Sequence, residues 1–68
     1  MSLNPVSSSN VAAIGWSDGV LHVRFHGGRL YEYVGVPSDV FDAFMSAPSK
    51  GRFLHWRIAR QYHYIRLE

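Results

Sequence analysis

From Val11 to Val34 apolar residues recur at every second position, the period of a half-buried β-strand. Asp18-Gly19, set between Trp16-Ser17 and Val20-Leu21, is a two-residue hairpin signal, and Gly27-Gly28 marks a second turn. Faces follow from register, because a one-residue slip moves every side chain to the other side of the sheet. A two-residue loop at Asp18-Gly19 pairs Trp16 with Leu21, Ile14 with Val23 and Ala12 with Phe25, and all six share one apolar face. At the second turn a two-residue loop would bring Glu32 onto that face, opposite Val23. A three-residue loop of Gly27, Gly28 and Arg29 pairs Phe25 with Tyr31 and Val23 with Tyr33, and sets Arg24 across from Glu32. The pattern therefore predicts a three-stranded antiparallel meander. Its inner face holds Ala12, Ile14, Trp16, Leu21, Val23, Phe25, Tyr31 and Tyr33. Its outer face holds Val20, His22, Arg24, His26, Leu30, Glu32 and Val34.

After Val36-Pro37 the period becomes helical. Ser38 is the expected N-cap, Asp39 suits the first turn, and Val40, Phe41 and Phe44 form an apolar stripe that packs on the sheet. Pro48 stops this helix and Ser49 caps a second one, from about Lys50 to Ala59, with Gly51 in its first turn. In that helix Leu54 and Ile58 face the core, while Arg52, Trp56 and Arg60 fall on one line at i, i+4 and i+8. Residues 61–66 alternate as a short extended segment or a last strand would. The fold class is α+β, three strands followed by two helices packed on one face (βββαα). One domain over residues 6–66 follows a flexible tail at 1–5.

Length and composition narrow the function. A chain of 68 residues buries only ~60% of the surface its unfolded form exposes. It has no cysteine, so neither a disulfide nor a Cys-based zinc site supports the fold. Seven of the ten aromatic residues (Trp16, Phe25, Tyr31, Tyr33, Phe41, Phe44 and Phe53) are therefore needed for the core, and Trp56 is left without an evident place in it. A hydrophobic share of 47% is that of a globular chain. No apolar run approaches the ~20 residues of a membrane span, and no secretory leader is visible, so a cytoplasmic location is expected.

The formal charge of +2 is unevenly placed. Residues 1–49 carry two basic and four acidic side chains, a net −2, whereas residues 50–68 carry five basic and one acidic, a net +4. Segregation of this kind points to an anionic partner at the C-terminal end. Arg52, Trp56 and Arg60 can hold phosphates while the indole stacks on a base, with Lys50, Arg57 and Arg66 adding phosphate contacts. The same residues equally suit a cation–π stack within the molecule or a homodimer interface. His22 and His26 lie on a strand, where four positions span ~13 Å, so one metal ion cannot take both. No nucleophile elbow, phosphate loop or cysteine nucleophile occurs, and no cofactor or metal is expected. His55 and His63 flank the basic segment and are the residues a phosphodiester hydrolase would use. A non-catalytic binding module is the stronger reading. The Tyr31-x-Tyr33 pair fits the core better than a stacking platform, because its register faces the helices.

These residues together resemble the KTSC domain, named for its occurrence at the C-terminus of some lysyl-tRNA synthetases. The resemblance rests on Tyr31-Glu32-Tyr33, the Ser8-Ser9 start, Gly28, Val36-Pro37, Ala47-x-Ser49-x-Gly51, Phe53 and Ile58, spanning about Val6 to Tyr64. Trp16 and Leu54 depart from its usual smaller aromatics. The resemblance implies a bacterial or phage-type protein, free-standing or appended to a synthetase, and by association an RNA partner, either tRNA or a single strand. The competing expectation is a protein-interaction or homo-oligomerisation module using the outer sheet face around Val20, Leu30 and Val34.

Overall fold

The Asp18-Gly19 hairpin forms as its spacing requires. Both residues have positive φ, 49° and 81°, the primed-turn geometry whose twist matches that of the strands. The computed structural model describes residues 2–68, and in it this turn joins β2 (Val11–Ser17) to β3 (Val20–Phe25). Trp16 faces Leu21 and Ile14 faces Val23. Towards the start of β2 a bulge intervenes, so Val11 rather than Ala12 stands opposite Phe25. The extra residue turns the larger Val11 into the core, where it is fully buried.

The second loop has three residues, but they are His26, Gly27 and Gly28. Phe25 N–H donates to the Arg29 carbonyl at 2.8 Å, closing the loop one position earlier than expected. The two glycines turn the corner at φ 98° and 99°, so Arg29 need not leave extended backbone. β4 (Leu30–Val34) is consequently displaced by two residues: Val23 faces Tyr31, Leu21 faces Tyr33 and His22 faces Glu32. A two-residue slide preserves the faces, so both tyrosines remain inside. It does replace the expected Arg24–Glu32 pair. Glu32 Oε1 lies 2.9 Å from His22 Nε2, and Arg24 instead reaches Glu68 Oε1 at 2.7 Å.

Two short strands extend the meander. Part of the segment read as a flexible tail forms β1 (Asn4–Pro5), which pairs with Ile14 and Ala13; Met1 lies outside the described residues. The extended C-terminal segment forms β5 (Tyr64–Arg66), antiparallel to β4. The fold is thus α+β: four strands, two helices and a fifth strand that completes one antiparallel sheet in the order β1-β2-β3-β4-β5.

α1 (Ser38–Ser46) begins one residue earlier than expected, with Pro37 at the cap and Asp39 Oδ1 accepting the Val40 N–H at 2.9 Å. It ends at Ala47, which is extended (ψ 135°) as the residue before a proline prefers. α2 (Lys50–Phe53) is capped by Ser49, whose Oγ accepts the Arg52 N–H at 3.3 Å. The chain then continues without a break as a π-helical segment, Leu54–Ala59, where an α-helix was expected. Leu54 and Ile58 still reach the core from it. They join Val11, Ile14, Leu21, Val23, Tyr33, Val36 and Phe44, with Phe53 stacked on Phe44 at 5.5 Å. Trp16 stacks on Phe41 and donates its indole N–H to the Val36 carbonyl at 2.8 Å. Leu30, expected on the outer face, is nonetheless 2% exposed; its carbonyl accepts the Leu67 N–H.

Candidate functional site

Where the second helix begins, it stands against the chain that leads into β2. Residues 7–10 form one wall of a cavity of about 410 Å³ and residues 48–52 the other, with His55 and Trp56 closing one side. Its lining includes two full cations, Lys50 and Arg52, and no carboxylate. This size falls in the ~300–1,000 Å³ range of small-ligand sites.

The serine wall is held by its own hydrogen bonds. Ser8 Oγ accepts from the N–H groups of Asn10 and Val11, at 3.3 and 3.2 Å. The Ser8 carbonyl lies 2.8 Å from His26 Nε2, and the Asn10 carbonyl accepts the His26 N–H at 3.0 Å. One loop residue therefore anchors the wall to the sheet. Gly51 lets the walls close on each other, because a Cβ there would stand 3.1 Å from Asn10 Nδ2. Its cost to helix propensity is offset by this close packing. On the opposite wall Lys50 Nζ donates to the Ala47 carbonyl at 2.6 Å.

Trp56 is 57% exposed, the largest exposure of any large apolar side chain among the described residues. The Arg60 guanidinium lies 5.0 Å from its ring centre, and His55 meets the ring edge-on at 4.8 Å. Of the residues expected on one line, Arg52 and Trp56 line the cavity together with Lys50, and Arg60 lies over the indole outside the lining. The other two candidates go elsewhere. Arg57 covers the Phe53 ring at 5.4 Å. Arg66 stands on β5 opposite Tyr31, with its Nε donating to the Glu68 carbonyl at 3.0 Å. Ser7, Ser9, Asn10 and His55 join the site without having been expected there. Ser9 was visible in the sequence only through the Ser8-Ser9 part of the resemblance, and His55 only as a residue flanking the basic segment. His63 is not part of the lining.

The Tyr-x-Tyr pair is divided by the structure. Tyr33 is 3% exposed and belongs to the core. Tyr31 is half-buried and stacks on Tyr64 at 5.2 Å. Burial, together with the neighbouring Tyr31 and Tyr64 hydroxyls, pushes the Tyr33 pKa from 10.0 up to about 12. The unfolded chain loses this proton near pH 10 and the folded protein near 12. This contribution to stability is therefore intact below pH 10 and falls between 10 and 12. Denaturant midpoints measured across that interval should decline, and Tyr33→Phe should flatten the decline.

A sequence profile of the KTSC domain matches residues 7–62, most of the chain. The crystal structure of a KTSC domain protein from Yersinia pestis superposes with a TM-score of 0.88 at 37% identity, covering 98% of this chain and 97% of that one. The chain belongs to the KTSC domain family. A relative from Tsukamurella paurometabola, named simply a protein, is 36% identical over 67 residues, covering 96% of this chain and all of the relative. A lysine–tRNA ligase from Nostoc is 40% identical over 47 residues, 69% of this chain but 8% of the ligase. An uncharacterised Stutzerimonas stutzeri protein is 33% identical over 61 residues, covering 87% of this chain and 84% of that protein. Both walls of the cavity lie inside the span the KTSC profile matches. Among the described residues no helix is long and apolar enough to cross a membrane.

Proposed function

We propose that this KTSC domain is a non-catalytic binding module for single-stranded RNA, and that the cavity between the serine wall and the second helix is its site. The observation that carries this reading is an exposed indole on the rim of a cavity with two cations and no carboxylate. A base stacks on Trp56, and Lys50 and Arg52 take the adjoining phosphates; Arg60, already over the indole, is placed to add a third contact. Aromatic stacking on an unpaired base is the usual means of RNA recognition outside duplexes. The serine hydroxyls of the facing wall suit the ribose 2′-OH, which favours RNA over DNA. A matching segment within a lysine–tRNA ligase, an enzyme named for acting on tRNA, agrees with this class of ligand.

The test is anisotropy of a labelled short RNA over a salt series. Two or three phosphate contacts predict a slope of log K against log salt of about −1.4 to −2.1, at ~0.7 per contact on a single strand. Affinity that is absent at low salt, or unchanged by salt, overturns the reading.

A further inference from the structure

β5 is an open edge of the sheet. Val34 N–H donates to the His63 carbonyl at 3.0 Å, and Leu67 N–H donates to the Leu30 carbonyl at 2.7 Å. In an antiparallel ladder, residues that face the neighbouring strand with both main-chain groups alternate with residues that face away. His63, Ile65 and Leu67 therefore bond to β4, and the N–H and C=O groups of Tyr64 and Arg66 point to the open side. All three residues of β5 are exposed, Tyr64 by 48% and Ile65 by 46%. The other edge differs: β1 has two residues, and one is Pro5. Edges are normally blunted by proline, by charged side chains, by shortness or by a covering segment. β5 has no proline; it is three residues long and carries an aromatic, a β-branched and one charged side chain, Tyr64, Ile65 and Arg66.

We propose that β5 pairs with β5 of a second copy of this chain, making a two-fold dimer with one continuous ten-stranded sheet. The strand is its own complement. Antiparallel pairing centred on Ile65 sets Tyr64 opposite Arg66 of the second copy, twice. The outward main-chain groups of those two residues then form four hydrogen bonds across the axis. The two Ile65 side chains meet on the outer face, at the close cross-strand spacing of ~4.5–5.5 Å. On the helix side each Arg66 guanidinium comes beside the other copy's Tyr64 ring, extending the Tyr31–Tyr64 stack with a cation–π contact. A second copy is favoured over an unrelated strand because Tyr64 and Arg66 supply both halves of that pairing.

The experiment combines sedimentation equilibrium with amide hydrogen exchange of the whole chain, from roughly 10 µM to 1 mM, a range suited to a small interface. The expected result is a shift from monomer to dimer. Exchange at Tyr64 and Arg66 should slow at least roughly ten-fold over the same range, while Ile65, already bonded to β4, changes little. Arg66→Pro removes only an outward N–H and should abolish the dimer; Arg66→Ala keeps that N–H and should only weaken it. A monomer throughout overturns the proposal. So does a dimer in which the Tyr64 and Arg66 amides stay unprotected, or one that persists in folded Arg66→Pro. If Arg66→Pro does not fold, the exchange pattern of the unaltered chain decides alone.

Discussion

Phe44→Ala is expected to remove most of the stability of the domain. Phe44 is 0% exposed, the largest fully buried side chain, and stacks on Phe53 at 5.5 Å. Truncating a buried phenylalanine costs ~3–5 kcal/mol, from lost transfer energy and an unfilled cavity. Natural domains hold ~0.05–0.15 kcal/mol per residue, so this chain has about 3–10 kcal/mol in all. No disulfide limits the unfolded state, because the chain has no cysteine. Phe44 also carries the contact between the first helix and the second, so its loss frees the helix that supplies the candidate site. Denaturant melts should show the midpoint collapsing. A loss below about 1 kcal/mol would mean that Phe53 and Met45 refill the space, contrary to the close packing described.

The largest effect on binding is expected from the walls of the cavity. Trp56→Ala removes a stacking surface worth ~1–3 kcal/mol, a loss of roughly 5- to 150-fold in affinity for single-stranded RNA. Lys50→Glu together with Arg52→Glu places two carboxylates where phosphates are to sit and should abolish binding at moderate salt. Arg57→Glu and Arg66→Glu serve as controls, since one guanidinium covers Phe53 and the other lies on β5. They change the net charge by as much as the cavity variants do, residue for residue, and should weaken binding much less. Equal losses at all four positions would mean that only the overall charge matters and that the cavity is not a site. Melting curves of each variant separate this outcome from unfolding, as none of the four side chains is buried.

The elements that were legible in the sequence are those long enough to show a period. The three central strands and the first helix satisfy that condition, and even the misplaced second loop left Tyr31 and Tyr33 on the correct face, because the displacement was an even number of residues. β5 was legible as the alternation of residues 61–66, whereas β1, with two residues, is too short for alternation to register and is held mainly by main-chain bonds that carry no side-chain signature. The π-helical segment was hidden for a different reason. Leu54 and Ile58, four apart, reach the core in either kind of helix, so the apolar pattern does not distinguish them. The basic line along the second helix was visible from spacing alone. The serine wall opposite it was not, because residues 7–10 and 48–52 are distant in the chain and meet only through packing such as Asn10 against Gly51. Arg57 follows Phe53 by four residues, which explains why it covers that ring rather than joining the line of Trp56.

Amide and indole chemical-shift mapping with a short single-stranded RNA at low salt tests the cavity most directly. The two tryptophans make the readout internal, since the Trp16 indole N–H is tied to the Val36 carbonyl while Trp56 stands at the cavity rim. The expected result is a shift of the Trp56 indole and of amides in residues 7–10 and 49–52, with the Trp16 indole and the amides of β5 unmoved. No shifts at all, or shifts confined to the outer sheet face or to β5, would contradict it.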